Sequence, residues 1–223
     1  MSDREPSLRI KWITKQLVRA YFKLFHRYEV LGQEHLPTHP PVFVLTNHVS
    51  NLDVPAFGLA DPYVGSCLVV KESLTRMPVV GSILKIWHVI PVARDGRDST
   101  ALRQVLQRLR EGRLVAIAAE GTRNRDGKLG ETNPVLARLA IQASASGIPL
   151  VPVAAIGTYA CLPRGARFPR PGKVKVLIGP RFDLSHLKSL PKDEGVEEAR
   201  RLIHERIRVM MESGLPIAPP VRS

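Results

Sequence analysis

The chain has 223 residues, a formal net charge of +13 at neutral pH and only two cysteines. This length suits one substantial hydrophobic core, so we expect a single folded domain with no second one of comparable size. No stretch approaches the roughly 18 consecutive apolar residues of a spanning helix, which argues against a chain that crosses a membrane. The positive charge predicts attraction to an anionic partner, either a nucleic acid or a lipid surface.

The N-terminal segment is predicted to be an amphipathic helix over residues 8–28. At about 100° per residue its side chains divide into two arcs. The apolar arc contains Ile10, Ile13, Leu17, Ala20, Tyr21, Leu24, Phe25 and Tyr28. The basic arc contains Arg9, Lys11, Lys15, Arg19, Lys23 and Arg27. This pattern favours a helix lying among lipid headgroups, and the alternative is a helix packed on the core with a solvated basic face. We therefore treat residues 1–30 as a membrane-associating segment and residues 31–223 as the folded domain.

Short apolar runs bounded by turn residues are predicted to form strands. These runs cover residues 41–46, 67–70, 114–119, 150–156 and 174–178. They alternate with helical patterns such as residues 100–110. Alternation of this kind is typical of an α/β fold with a largely parallel central sheet flanked by helices. Apart from the two ends, the only loose segment is the proline- and arginine-rich stretch of residues 163–173.

The first of these strands leads into Asn47 and His48, with Asp53 five residues after the histidine. Pro55 suits the first turn of a helix, so His48 is predicted to lie at a strand end, where α/β folds bind ligands. In one continuous helix the two residues would be about 140° apart, so they meet only if the chain turns between them. Asn51 and Asp53 are predicted to cap the helix that follows.

An imidazole beside a carboxylate is the minimal apparatus for deprotonating an alcohol. On its own the pair is also compatible with a structural histidine. A second motif supports catalysis, because the run 114–119 leads directly into Glu120, Gly121, Thr122 and Arg123.

Together these two motifs resemble the signatures of the glycerolipid acyltransferase family, which are N-H-x-x-x-x-D and F-P-E-G-T-R. The resemblance extends from about Leu31 to about Ile156. Within it, Arg94 falls where a further family motif ends in arginine, and Pro152 falls in the family's proline-containing strand. The chain departs from the pattern at Ala118 and Ala119, where the family usually has Phe-Pro. It also departs at residues 132–135, which read as a helix cap followed by proline.

The resemblance implies acyl transfer from a thioester, on coenzyme A or acyl carrier protein, to the hydroxyl of a lysophospholipid such as 1-acyl-sn-glycerol-3-phosphate. His48 would be the general base and Asp53 would orient it. Arg94 and Arg123 would bind the acceptor's phosphate, since a guanidinium forms paired hydrogen bonds with phosphate oxygens. Glu120, Gly121 and Thr122 would complete the substrate site, with Asn47 and Pro152 supporting it.

The remaining expectations concern partners and location. No bound cofactor is implied, and the scattered histidines show no metal-ligand spacing. Aromatic residues make up 5% of the chain, too few to suggest a base-stacking platform, so no specific nucleic-acid partner is expected. Without a signal peptide, Cys67 and Cys161 are expected to be thiols in a reducing compartment. We expect a cytoplasmic protein bound peripherally to an anionic membrane surface. The open alternatives on the same fold are acyl transfer to another lipid acceptor and thioester hydrolysis. An alternative of another class is a non-catalytic basic protein that binds a membrane or a nucleic acid.

Overall fold

The computed structural model describes residues 8–63, 66–76, 81–82, 84, 89–92, 99–124 and 126–217. Its strands are β1 (Glu29–Leu31), β2 (Val42–Thr46), β3 (Cys67–Lys71), β4 (Ile90–Val92), β5 (Leu114–Ala118), β6 (Leu150–Ile156) and β7 (Lys175–Ile178). Its helices are α1 (Leu8–His26), α2 (Asp53–Ala60), α3 (Glu72–Thr75), α4 (Ser99–Arg110), α5 (Pro134–Ala145), α6 (Thr158–Cys161) and α7 (Lys192–Ser213).

The strands form one sheet in the order β1-β7-β6-β2-β5-β3-β4. Strands β6, β2, β5, β3 and β4 are parallel to one another, whereas β7 is antiparallel to β6 and carries β1 beside it. The largely parallel sheet predicted from the sequence is therefore confirmed. Thr46, the last residue of β2, is in register with Ala118 at the end of β5 and with Val153 in β6. Segments that leave β2 and β5 consequently emerge side by side at one edge of the sheet.

Helices cover both faces of the sheet. One buried cluster joins the sheet to α4, α5 and α7, and the other joins it to α1 and α2. The 22-residue helix α7 was not predicted, although its buried positions Val196, Ala199, Ile203, Ile207 and Met210 recur every three or four residues. Two edge strands, β1 and β4, were also missed, because three residues are too few to show a pattern.

Helix α1 packs on the domain through the arc that carries most of its basic residues. Phe22 and His26 on this arc are buried, and Lys15 Nζ donates a hydrogen bond to the main-chain oxygen of Asp61. Burial lowers the pKa of Lys15. The expectation that this arc lies among headgroups is therefore wrong for Lys15, whose ammonium group is used within the fold.

Most of the apolar arc of α1 faces away from the protein, although Tyr21 and Tyr28 pack against the buried cluster. Ile13, Leu17 and Leu24 are 51%, 68% and 77% exposed. This is the reverse of a helix packed on the core through its apolar side. None of the helices in the described ranges combines the length and the apolar character needed to cross a bilayer. The division expected after residue 30 falls inside β1, which starts three residues after α1 ends.

Candidate active site

The site is built on the turn that follows β2, residues 47–53, which we call the His48 turn. Its first residue, Asn47, is fully buried, and its side-chain amide exchanges two hydrogen bonds with the main chain of Ala155. Asn47 Nδ2 donates to the Ala155 oxygen at 3.0 Å, and Ala155 N donates to Asn47 Oδ1 at 2.8 Å. Asn47 thus ties the start of the turn to the neighbouring strand β6. The support role predicted for this residue has a structural basis here.

His48 and Asp53 are in contact. His48 Nδ1 lies 2.9 Å from Asp53 Oδ2, and the same oxygen accepts hydrogen bonds from the main-chain N–H groups of Val49 and Ser50, both at 2.8 Å. Asp53 is 1% exposed, whereas the His48 side chain is 24% exposed. The chain therefore turns before the helix begins, as required for the two side chains to meet. The carboxylate is fixed from three directions while the imidazole reaches the surface.

The predicted caps of α2 are not caps. The cap position is Leu52, and it makes no side-chain capping bond. The Asp53 carboxylate points back into the His48 turn, and Asn51 Oδ1 accepts a hydrogen bond from Arg123. Ser50 does act as a turn residue, because its Oγ accepts from Leu52 N at 3.2 Å and donates to the Leu162 oxygen at 2.8 Å.

The contact with Asp53 decides which nitrogen of His48 is available for chemistry. A carboxylate oxygen can only accept a hydrogen bond, so the ring must carry its hydrogen on Nδ1. The lone pair of Nε2 is then free to take a proton from a hydroxyl group. Asp53 would also stabilise the imidazolium that results. The arrangement is that of an oriented general base.

Glu120 lies under the His48 turn. It is 8% exposed, and its Oε1 accepts a hydrogen bond from the main-chain N–H of His48 at 3.0 Å. The main-chain N–H of Gly130 also donates to this carboxylate. In the described part of the chain the partners of Glu120 are these two amides, and Arg123 instead donates to Asn51.

Burial raises the pKa of Glu120 to about 7. Because the carboxyl of an unfolded glutamate ionises near pH 4.5, the native state holds this proton more strongly than the unfolded state. The resulting contribution to stability is complete below pH 4.5 and is lost as the pH rises through 7. Glu120 therefore costs some stability in its ionised form, while its oxygens position His48.

The turn that carries Glu120, residues 119–124, is joined to the His48 turn at three points. The first is the Glu120 bond, the second is Asn124 N donating to the His48 oxygen at 2.9 Å, and the third is Arg123 Nη1 donating to Asn51 Oδ1 at 2.6 Å. The His48 main chain is therefore held on both its N–H and its carbonyl. The sequence does not reveal these partners, because two of the three bonds use main-chain atoms.

Gly121 and Thr122 lie on the exposed side of this turn. Gly121 has a φ of 71°, and a β-carbon there would lie 3.0 Å from Asn133 Nδ2. Glycine is thus required by the turn and by the neighbouring Asn133. Thr122 is exposed beside it. Asn133 caps α5 as predicted: its Oδ1 accepts from Val135 N at 2.8 Å, and Pro134 occupies the first turn.

One predicted site residue does not contribute to this geometry. Pro152 lies within β6 in register with Leu45, inside the sheet and not at its carboxyl edge. Arg94 lies outside the described residues. No group of three or more His, Cys, Asp or Glu side chains that could hold a metal ion occurs in the described ranges.

The comparison with known proteins matches this site to one family. The family model described as Acyltransferase matches residues 27–156, which include the His48 turn and Glu120. The chain belongs to the acyltransferase family. The resemblance stated from the two motifs is confirmed.

Relatives and solved structures agree with this assignment. A 1-acyl-sn-glycerol-3-phosphate acyltransferase of Bacillus subtilis is 26% identical over 81% of this chain and 86% of its own. The chloroplastic enzyme BAT2 of Brassica napus, which carries the same activity in its name, is 30% identical over 69% of this chain. The crystal structure of the 1-acyl-sn-glycerophosphate acyltransferase PlsC from Thermotoga maritima superposes with a TM-score of 0.70 and 25% identity, covering 96% of this chain and 84% of that one. The chain spans 44% of the Brassica relative and 65% of one from Borreliella burgdorferi.

Proposed function

We propose that the protein transfers a fatty acyl group from an acyl thioester to the free hydroxyl of 1-acyl-sn-glycerol-3-phosphate, giving phosphatidic acid. The observation that carries this proposal is the His48–Asp53 pair, in which Nε2 of a partly exposed imidazole is left free at the edge of the sheet. The names of the relatives supply the substrate class.

The reaction follows from the orientation of the pair. His48 Nε2 takes the proton of the acceptor hydroxyl as its oxygen attacks the thioester carbonyl. The C–O bond forms, the tetrahedral intermediate collapses, and the C–S bond breaks. The imidazolium, stabilised by Asp53, returns the proton to the departing thiolate. The products are an ester and a free thiol. The acceptor brings its own nucleophile, so the protein needs no serine for the attack.

The donor is a thioester of coenzyme A or of acyl carrier protein. Both carry negative charge, and the charge of +13 suits either. No resident cofactor takes part in these steps, since proton transfer through His48 is all that the attack requires. A panel of lysophospholipids incubated with labelled acyl thioester, with products identified by mass, tests the proposal. Release of free fatty acid without acceptor would instead identify a thioester hydrolase.

The acceptor's phosphate is assigned to Arg123, with Arg94 as the second cation. Arg123 is partly exposed, and Asn51 in the His48 turn orients its guanidinium. The phosphate would therefore be bound close to the base. The Thr122 hydroxyl is an additional donor on the same exposed turn.

Replacing Arg123 with alanine should raise the KM for the lysophospholipid about 10- to 100-fold, since a hydrogen bond to a charged group contributes roughly 1.5 to 3 kcal/mol. The KM for the acyl donor should change little. Asn51→Ala should shift the acceptor KM in the same direction by a smaller factor. Arg138→Ala, which changes an exposed arginine on α5, is the matched control. Equal increases in both KM values would assign Arg123 a structural role.

We also propose that α1 holds the protein on the cytoplasmic face of an anionic membrane through its outward apolar arc. The support for this is the exposure of Leu17 and Leu24 on a helix whose opposite side is packed on the domain. A helix of this kind lies in the plane of the interface with its apolar face in the acyl boundary.

Changing both Leu17 and Leu24 to glutamate should weaken binding to anionic vesicles by at least about 100-fold, because burying one leucine side chain contributes roughly 1.5 to 3 kcal/mol. Both side chains are exposed, so the fold should be retained. Leu215→Glu, an exposed leucine beyond α7, serves as the control. Co-sedimentation with vesicles measures the effect, and turnover of a water-soluble short-chain acceptor should persist. Unchanged sedimentation would show that α1 is not the membrane contact.

A further inference from the structure

The segment between α6 and β7, residues 162–173, forms an exposed loop that we call the basic loop. It contains four cations and no acidic residue. Arg164, Arg167 and Arg170 are exposed, and the side chain of Phe168 between them is 80% exposed. A large apolar side chain exposed to water and flanked in sequence by exposed arginines is a combination that the packing of the domain does not explain.

Hydrogen bonds hold the basic loop at both ends. At its start, the Leu162 oxygen accepts from Ser50 Oγ in the His48 turn, and Arg170 N donates to the Cys161 oxygen at 2.7 Å. At its end, Gly172 N donates to the Phe25 oxygen at 3.1 Å, and Val174 N donates to the His26 oxygen at 2.8 Å. The loop is therefore attached to the His48 turn on one side and to the last turn of α1 on the other.

The attachment to α1 places the basic loop beside apolar side chains that are also exposed. Leu24 and Phe25, in the last turn of α1, are 77% and 46% exposed. Near the end of the loop, Lys173 pairs with Glu29 at 2.8 Å, which leaves the three arginines as the cations that project. The loop itself carries one aromatic ring, which is too few for a nucleic-acid stacking platform. An aromatic tip flanked by arginines is suited to an interface of acyl chains and phosphate groups.

We propose that the basic loop is a second membrane-contacting element, which inserts Phe168 at the interface of an anionic bilayer and binds lipid phosphates through Arg164, Arg167 and Arg170. Together with α1 it would give the protein two points of attachment, and the His48 turn is bonded to the start of the loop through Ser50 and Leu162. This inference rests on the proposed lipid substrate, because a two-point attachment matters only if the acceptor is drawn from the bilayer.

The test measures partition of the full chain between buffer and vesicles at low salt, with phosphatidylglycerol–phosphatidylcholine vesicles compared with pure phosphatidylcholine. Replacing the three arginines with glutamine should weaken binding to the anionic vesicles by about fivefold per arginine, on the order of 100-fold in all. The matched control replaces Arg181, Lys188 and Lys192 with glutamine. All three cations are exposed and lie outside the basic loop. Arg181 follows the end of β7 that is farther from the loop, and the net charge falls by the same amount. The control should bind nearly as well as the native chain.

Further variants distinguish the contribution of the arginine charges from that of the inserted Phe168 side chain. Arginine-to-lysine replacement at the same three positions should retain most of the binding, since the charge remains. Phe168→Ser should weaken binding about tenfold or more by removing the inserted side chain, whereas Leu215→Ser should not. Equal thermal unfolding midpoints would show that each variant is folded.

Two outcomes would overturn the inference. One is equal vesicle binding by the arginine-to-glutamine variant and its control. The other is unchanged vesicle binding accompanied by lost affinity for acyl carrier protein or nucleic acid, which would assign the loop to a different partner. The proposed function is tested by a different measurement, the turnover of a water-soluble short-chain acceptor. The loop variants should retain this turnover. The His48→Ala variant should bind vesicles normally but show no turnover.

Discussion

Replacing His48 with alanine should lower the rate of acyl transfer by about 10²- to 10⁴-fold, the contribution of a well-placed general base. The expected loss is this large because, in the proposed mechanism, the acceptor hydroxyl gives its proton to Nε2 of His48, which the bond from Nδ1 to Asp53 orients. The side chain is partly exposed and its hydrogen bond is to Asp53, so its removal should leave the fold intact. Single-turnover measurements with saturating donor and acceptor would isolate the chemical step.

The control for this variant is His186→Ala, which removes an exposed histidine from the surface far along the chain. Both variants should have the same thermal unfolding midpoint as the native protein, and only His48→Ala should lose activity. A His48→Ala protein that transferred acyl groups at nearly the native rate would eliminate the base assignment, whichever lipid is the acceptor.

Replacing Asp53 with asparagine should also reduce turnover severely, by up to about 10⁴-fold, as the equivalent change does in a serine protease triad. The side-chain amide of the introduced asparagine can adopt two orientations. If its oxygen occupies the site of Oδ2, the bonds to Val49 and Ser50 persist but the negative charge that stabilises the imidazolium is gone. If its NH2 group occupies that site, it faces those two N–H groups and favours the wrong tautomer of His48.

The rate should therefore fall while the KM values of donor and acceptor stay close to native, since Asp53 is 1% exposed and too buried to contact a bound substrate. Asp193→Asn, an exposed aspartate in the first turn of α7, is the matched control. A raised KM with an unchanged kcat would mean that Asp53 shapes a binding surface and does not orient a base.

The contact between His48 and Asp53 could be predicted from the sequence because the two residues lie within one turn of chain. Spacing alone shows that a turn must bring them together, and Pro55 indicates where the helix follows. The role of Glu120 could not be predicted in this way. Its partner is the main-chain N–H of His48, and an amide that every residue possesses has no signature in the sequence.

The orientation of α1 is a second feature that could not be predicted from the sequence. A helical wheel divides residues 8–28 into two arcs, but it does not show which arc meets the protein. Basic residues usually face water, yet Lys15 donates to Asp61 while Leu17 and Leu24 face outward. The long aliphatic part of a lysine can line a packed surface, so composition alone is a poor guide to which side of a helix is buried. The short edge strands β1 and β4 were beyond prediction for the simpler reason that each has three residues.

The bonds that hold the His48 turn have a consequence for the order of folding. The His48–Asp53 contact is local, but the bond from His48 N to Glu120 spans 72 residues and those between Asn47 and Ala155 span 108. Closing such distant segments carries an entropic cost that local contacts do not. His48 and Asp53 can therefore approach each other in a nascent chain, whereas the bonds that fix the main chain of the turn form only after β2, β5 and β6 have assembled. Recovery of acyl transfer during refolding should consequently lag behind helix formation and report the completion of the sheet.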